Sequence, residues 1–154
     1  MAKITNEKVL EINNQMKILD FLALNMFKEE NNGVMEDNNI QEYIKIVINI
    51  IRFETDYEMD GLWTAYDNYN NNFEIFIKSF KETGNNEIAN YLEKIIELYN
   101  LNKSKIENDI AFEEETILDE LEIKLREIIE EKDFWGNVSE YIVNKINKEY
   151  KIMG

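Results

Sequence analysis

Apolar side chains recur at steps of three and four residues along most of this chain, which is the spacing of amphipathic α-helices. The spacing predicts a first long helix over about residues 6–30, ended by the Asn-Asn-Gly run at 31–33, because these residues tolerate the left-handed geometry of a helix C-cap. A second helix is predicted over about residues 40–53. Its run IVINII is also compatible with a strand, but the spacing back to Ile40 and Tyr43 favours a helix. The apolar face of this helix is too wide for a surface helix, so we expect it at the centre of the fold.

The later part of the chain shows the same helical spacing. Gly84 separates two of the predicted helices, and a short glycine turn between neighbours makes them an antiparallel pair. A polar loop is expected over about residues 100–105. The sum is an all-α single domain over residues 1–154, a bundle of about six or seven helices packed ridges into grooves around the 40–53 helix. The later helices are predicted over about residues 73–82, 86–99, 113–133 and 134–150.

The segment 53–69, FETDYEMDGLWTAYDNY, departs furthest from a regular helical repeat because acids alternate with aromatic residues and Gly61 interrupts it. We interpret its acids as a turn that initiates a helix over 62–66, since acids in a first turn complement the helix dipole. Trp63, and Trp135 further along, are expected to anchor packing rather than to line a ligand pocket.

The charge balance excludes more classes of binding partner than the helical pattern does. The chain has 32 Asp and Glu against 17 Lys and Arg, a formal net charge of −15, which repels nucleic-acid phosphates and anionic membrane surfaces. We therefore expect neither nucleic acid nor a membrane as a direct partner. The acidic excess instead attracts basic proteins and speeds encounters with them. The N-terminal run MAKITNEKV lacks the apolar core of a signal peptide, so a cytoplasmic location is expected.

Catalytic chemistry has few candidates in this sequence. It contains no His and no Cys, which removes the usual acid–base side chain, the ordinary zinc site and any disulfide framework. Glycine-rich phosphate loops and a nucleophile elbow are also absent. Asp56, Glu58 and Asp60 alternate like the first ligands of a calcium loop, but the twelfth position is Asp67 rather than the expected bidentate Glu. We predict no enzyme, no cofactor and no metal site.

The acidic run over residues 113–133 is the strongest candidate for a functional surface, and the competing interpretation is the solvated face of an amphipathic helix. Duplex DNA carries one charge per about 1.7 Å of axis, whereas a helix with one acid per turn offers one per about 5.4 Å. Imitation of a duplex therefore needs two acids per turn, or acids from neighbouring helices or a second subunit. The predicted partner-binding acids are Glu54, Asp56, Glu58 and Asp60 before Gly61, and Glu113, Glu114, Glu115, Asp119, Glu120, Glu122, Glu127, Glu130 and Glu131 in the acidic run.

The central segment also resembles a known family. The run FETDYEMDGLWTAYDN, followed by a helix-Gly-helix through KETGNNEIANYLEKI, is similar to a bacterial domain-of-unknown-function family that contains an acidic DNA-mimic protein. The family's glycine-aromatic turn falls on residues 59–63, where Asp60 and Leu62 depart from the usual Asn and Gly, and its helix-Gly-helix junction on residues 83–85. The resemblance covers about residues 40–149. It implies an all-helical fold, no enzymatic activity and a partner with a basic DNA-binding face, and it is compatible with a homodimer.

Mimicry does not follow from the shared motif, which we interpret as structural, so it has to be argued from the placement of charge. The leading hypothesis is a non-enzymatic acidic binding protein, a DNA mimic that occupies the basic DNA-binding face of a partner such as a transcriptional regulator. The alternative is an immunity or antitoxin-like protein that neutralises a basic toxin or nuclease. A third hypothesis, a carboxylate-based metal-dependent enzyme, predicts divalent-metal binding at Asp56, Glu58 and Asp60.

Overall fold

The computed structural model describes residues 3–12, 14–69 and 72–153, and these residues form eight α-helices, two short 3₁₀ helices and no strand. The all-α prediction is confirmed, including helix for the IVINII run, but the predicted count of six or seven helices is too low. The α-helices are α1 Asn6–Glu11, α2 Gln15–Asn25, α3 Glu42–Asp60, α4 Leu62–Tyr69, α5 Glu74–Glu82, α6 Asn86–Glu107, α7 Glu115–Glu131 and α8 Phe134–Met153, with 3₁₀ helices at Glu29–Asn31 and Val34–Glu36.

The predicted first helix is in fact two helices. Thr5 caps α1 by accepting a hydrogen bond from a backbone N–H three residues later at 3.1 Å, and Ile12 ends α1 in an extended conformation. The side chain of Asn14 then accepts two backbone N–H groups and starts α2. An Asn side chain that binds the backbone competes with continuation of a helix. The apolar spacing hides the break because buried residues of both helices, such as Val9 and Leu22, join the same core.

α3 is longer than predicted and runs to Asp60, so the acids of residues 54–60 lie in its last two turns and not in a turn that initiates a helix. The helix continues because Phe53 and Tyr57, one turn apart, extend its apolar face and stack at 5.7 Å between ring centroids. Gly61 ends it with φ 83° and ψ 169°, a region that only glycine adopts readily. The acids therefore face the negative end of the helix dipole, where they are unfavourable.

The predicted polar loop over residues 100–105 is also helical. α6 continues to Glu107 with a kink at Asn102, whose φ of −117° and ψ of 18° are not helical. Asn102 is buried, and its amide donates hydrogen bonds to the carbonyl of Leu98 at 3.1 Å and to Glu114 at 3.2 Å. The polar side chains here fix a kink in a continuous helix instead of interrupting it.

α3 is the central helix, as predicted, and packs against α2, α4, α5 and α8. Its Phe53 is buried among the rings of Phe73, Phe76 and Phe80, with centroids 6.0, 5.8 and 5.3 Å away. Burial of each such side chain contributes about 1.5–3 kcal/mol. α5 and α6 pack on each other across the turn at Gly84, where φ is 79°, and α7 packs chiefly on α6. α7 is therefore an outer helix.

Candidate functional site: a carboxylate-lined groove beside α7

A groove of about 500 Å³ lies between α7 and the junction of α3 with α4. It forms because α7 packs chiefly on α6, which leaves a gap between α7 and α3, and because Gly61 turns the chain so that both α3 and α4 contribute residues. The charged residues that line the groove are Glu58 and Asp60 from α3, Glu122, Arg126 and Glu130 from α7, and Lys132 after α7. The structure thus brings members of the two predicted acidic groups to one site.

The acids of α7 form two rows. In its 17 residues α7 carries seven acids and two bases, so acids recur once per about 3.6 Å of axis, close to the spacing of about 3.4 Å per charge along one DNA strand. This is about one and a half acids per turn. A duplex carries about three charges over the same 5.4 Å, so the predicted requirement of two acids per turn was too low, and α7 alone does not reach the charge density of a duplex. We define the groove row as Glu115, Asp119, Glu122 and Glu130, which line this groove or a smaller neighbouring one, and the outer row as Glu120, Glu127 and Glu131, which face away from the core.

Four of the predicted partner-binding acids are partly buried, and each accepts a hydrogen bond from another part of the chain. These bonds join α3 to α4 and α8, and α6 to α7 and the residues just before it. Removing the donor of a half-buried carboxylate lowers the free energy of unfolding by about 1–3 kcal/mol. These four acids therefore have a structural role. The bonds are Glu54 to the Trp135 indole N–H at 2.8 Å, Asp56 to the Tyr69 hydroxyl at 2.6 Å, Glu114 to the Asn102 amide at 3.2 Å, and Glu122 to the Tyr99 hydroxyl at 2.5 Å.

The other nine predicted acids are exposed to solvent. Within the described residues only Glu58 among them forms an ion pair, to Lys132 at 2.7 Å between Oε1 and Nζ. The remaining eight have neither an ion pair nor a side-chain hydrogen bond in that part of the chain. They concentrate negative charge on α7 and the end of α3. The exposed acids are Glu58, Asp60, Glu113, Glu115, Asp119, Glu120, Glu127, Glu130 and Glu131.

Lys132 connects the two sides of the groove. It follows α7 in a left-handed conformation with φ 63°, and its ammonium group lies 2.7 Å from Glu58 and 3.5 Å from Glu54 on α3. The hydrogen bond to Glu58 is the main reason that the pKa of Lys132 is raised. The left-handed backbone of a residue other than Gly or Asn is uncommon, and here it places the only cation that pairs with the α3 acids in the described residues.

Tyr99 and Glu122 form the buried end of the groove. Burial raises the pKa of the Tyr99 phenol far above its ordinary value, and the adjacent Glu122 carboxylate raises it further. Burial also raises the pKa of Glu122, while the Tyr99 hydroxyl and Arg126 favour the charged carboxylate. The pair therefore holds a phenol that stays protonated and donates to the carboxylate.

Aromatic side chains, which sequence reasoning assigned to the core, form the walls of the groove. Trp63 packs against the core and is only partly buried; its ring stands perpendicular to Tyr99 at 5.0 Å and tilted against Tyr66 at 5.5 Å. With Tyr99 and Glu122 it lines both the large groove and its neighbour of about 170 Å³. The signal in the sequence was the position of Trp63 two residues after Gly61, where α4 begins.

Asp56, Glu58 and Asp60 are not placed as metal ligands. They lie on one helix, so Glu58 points about 200° away from Asp56. Across residues 3–12, 14–69 and 72–153, no group of three or more acidic side chains is arranged to hold a metal ion. The geometry gives the metal-enzyme hypothesis no support at these residues.

The fold is all-α, and its unpaired carboxylates lie on the outer helix α7 and beside the groove. The spacing of acids along α7 is close to that of phosphates along one DNA strand, which defines the class as an acidic helical protein. The chain belongs to the DMP19-like protein family, whose family model matches residues 38–145, from before α3 to within α8. This is a DNA-mimic family, and such families are generally non-enzymatic. No curated protein and no solved structure matches the chain. Among the described helices, none combines the length and apolarity needed to span a membrane.

Proposed function

We propose that this protein is a DNA mimic, a non-enzymatic binding protein whose exposed carboxylates occupy the basic DNA-binding face of a partner such as a transcriptional regulator. The observation that carries the proposal is the contrast between the two kinds of acid. Four carboxylates hold the fold together, whereas eight exposed ones have no basic partner within the described residues. Membership of the DMP19-like protein family supports the same function.

The arrangement of the exposed acids suits a DNA-binding face. The outer row of α7 supplies charges along one line, and Asp60 at the end of α3 adds another on the far side of the groove. A protein that binds DNA places Lys and Arg to contact phosphates, which supply most of its non-specific affinity. Carboxylates at similar spacing attract the same cations, and the formal charge of −15 steers the encounter over a distance.

The unfavourable placement of the α3 acids also supports a binding role. Glu58 and Asp60 lie in the last turn of α3, where the helix dipole disfavours negative charge by about 0.3–1 kcal/mol each. Glu130 and Glu131 lie in the last turn of α7, which has no base of its own. These acids do not favour the helix ends on which they lie, so a contribution to helix stability does not account for them, whereas a binding surface does.

The experiment is affinity capture followed by competition. Immobilised protein is exposed to lysate of the source organism at low salt, and bound proteins are eluted with a salt gradient. We expect a DNA-binding protein that elutes as salt rises, because exposed ion pairs are screened, and that duplex DNA also displaces. Capture of a nuclease that this protein inhibits would instead identify it as an immunity protein and contradict the DNA-mimic proposal. Binding that does not weaken as salt rises would contradict an electrostatic interface.

A further inference from the structure

We propose that the groove between α7 and the α3–α4 junction receives an arginine side chain of the partner, whose guanidinium group lies against Trp63 and between the carboxylates of Asp60 and Glu130. The inference rests on the proposed function, because the arginine belongs to the same basic partner. It adds a defined anchor to a surface that is otherwise a field of charge.

The groove has the size and walls of a side-chain pocket. Its volume of about 500 Å³ falls within the range of about 300–1,000 Å³ that ligand sites occupy. Tyr57 and Trp63 supply partly buried aromatic surface, with Tyr99 fully buried behind them. A guanidinium binds to aromatic faces through cation–π attraction, and indole is the best such partner.

The charges of the groove leave two carboxylates for an incoming cation. Glu58 is paired with Lys132, and Glu122 accepts the Tyr99 hydroxyl. Asp60 and Glu130 line the groove, are exposed, and have no ion pair within the described residues. Two carboxylates beside an aromatic wall fit the planar, five-donor guanidinium better than the single ammonium group of lysine.

The chain itself shows that the groove accepts a guanidinium. Arg126 lines it from α7 and lies near enough to the Tyr57 hydroxyl and to Glu122 to favour the charged forms of both groups. Arg126 approaches from the α7 side, whereas Asp60 and Trp63 belong to the opposite wall. A second guanidinium against Trp63, between Asp60 on that wall and Glu130 on α7, completes the pairing of the groove.

The pocket and the outer row are expected to act at different ranges. Glu120, Glu127 and Glu131 are exposed and attract the partner from a distance, but each exposed ion pair contributes at most about fivefold to affinity. Interfaces derive most of their affinity from a few buried residues, among which Trp, Tyr and Arg are enriched. In the groove, Tyr57 and Trp63 of this protein can meet an arginine of the partner.

The test uses arginine amide as the probe and the indole N–H signals of the two tryptophans in NMR spectra as the readout. We expect a saturable shift of the Trp63 signal and little change at Trp135, whose indole N–H is bound to Glu54. Lysine amide should bind more weakly, and citrulline amide, which has nearly the same shape and keeps the α-ammonium group but lacks the guanidinium charge, should not bind. Asp60→Asn and Glu130→Gln should each weaken arginine amide roughly fivefold.

Glu140→Gln on α8 is the matched control. Glu140 is exposed and lines neither groove, and its substitution changes the net charge by the same amount as Asp60→Asn or Glu130→Gln. The inference is overturned if arginine amide gives no saturable shift of Trp63, if citrulline amide shifts it equally, or if Glu140→Gln weakens binding as much as Glu130→Gln. If a partner that duplex DNA displaces is captured but arginine amide does not bind, the arginine pocket is rejected and the DNA-mimic proposal is kept. Binding of arginine amide without any DNA-displaced partner would instead reject mimicry.

Discussion

The hydroxyl of Tyr99 donates a 2.5 Å hydrogen bond to Oε1 of Glu122, and this bond ties the buried face of α6 to the groove row of α7. Tyr99 is 1% exposed, and Glu122 is half-buried. The orientation of α7 and the depth of the groove therefore depend on a contact between a core phenol and one of the predicted partner-binding acids. Glu122 supports the acidic surface from below.

Tyr99→Phe should destabilise the protein. It leaves the half-buried carboxylate of Glu122 without its donor, which lowers the free energy of unfolding by about 1–3 kcal/mol at neutral pH. It should also raise the pKa of Glu122 further, because the lost hydrogen bond favours the charged form. Urea unfolding and NMR titration of the carboxyl signal measure the two effects. Tyr91→Phe is the control, since the Tyr91 hydroxyl has no hydrogen bond within the described residues; equal destabilisation by both variants would deny the role of the Tyr99 bond.

Alkaline pH should destabilise the fold through its tyrosines. Burial and the hydrogen bond to Asp56 raise the pKa of Tyr69 to about 12, and burial raises that of Tyr141 to about 12, from an ordinary 10.0. Because the folded pKa lies above the unfolded one, the stabilisation is complete below pH 10 and is lost as pH rises from about 10 towards 12. Unfolding free energy measured across this range should fall, and Tyr69→Phe should make the fall shallower. An unchanged slope in that variant would contradict the assignment.

Gly61→Ala should lower the free energy of unfolding by about 1–3 kcal/mol, because φ 83° with ψ 169° is strained for any residue with a Cβ atom. An added Cβ meets nothing within 4 Å there, so the backbone alone is responsible. Gly136 lies in α8 with equally open space and without a positive φ. Gly136→Ala should therefore stabilise the protein by about 0.5 kcal/mol through helix propensity. Thermal unfolding of both variants tests this, and a harmless Gly61→Ala would show that the α3–α4 turn can rearrange.

Two substitutions of Lys132 distinguish the effect of backbone strain on stability from the effect of its ion pairs. Lys132→Ala removes the ion pairs to Glu54 and Glu58 and keeps a side chain at φ 63°, whereas Lys132→Gly removes the pairs and relieves the strain. We expect the Gly variant to be the more stable of the two by about 1 kcal/mol. Urea unfolding of the two variants decides it. Greater stability of the Ala variant would mean that residue 132 is not held in the left-handed conformation.

Much of the helical architecture follows from apolar spacing alone. The centrality of α3 was predictable because its apolar face is too wide for a surface helix, and the α5–α6 pair because Gly84 marks their junction. The break before α2 was not predictable from the spacing, because apolar positions continue in phase across it, although Asn14 as a cap was a visible signal.

The site was less predictable than the fold. The acids of residues 54–60 looked like a helix start because Gly61 was taken as an interruption, whereas Phe53 and Tyr57 carry α3 through them. Which acids are free depends on donors far away in sequence. Glu54 and its donor Trp135 are 81 residues apart, so no local pattern marks that acid as structural. The groove likewise arises from the packing of α7 on α6.

The central claim is that the acidic face and duplex DNA compete for one partner surface, and displacement of labelled duplex DNA from the captured partner tests it most directly by fluorescence anisotropy. Wild-type protein should displace the duplex. A variant with Gln at Glu120, Glu127 and Glu131 should need roughly tenfold more protein, since three lost exposed pairs at about 0.5 kcal/mol each remove about 1.5 kcal/mol.

The matched control carries Gln at Glu11, Glu97 and Glu140, exposed acids on α1, α6 and α8 that lie outside the predicted partner-binding set. It has the same net charge as the outer-row variant and should displace the duplex like the wild type. A partner that binds duplex DNA and this protein at the same time, or a control as weak as the outer-row variant, would contradict mimicry by the α7 face.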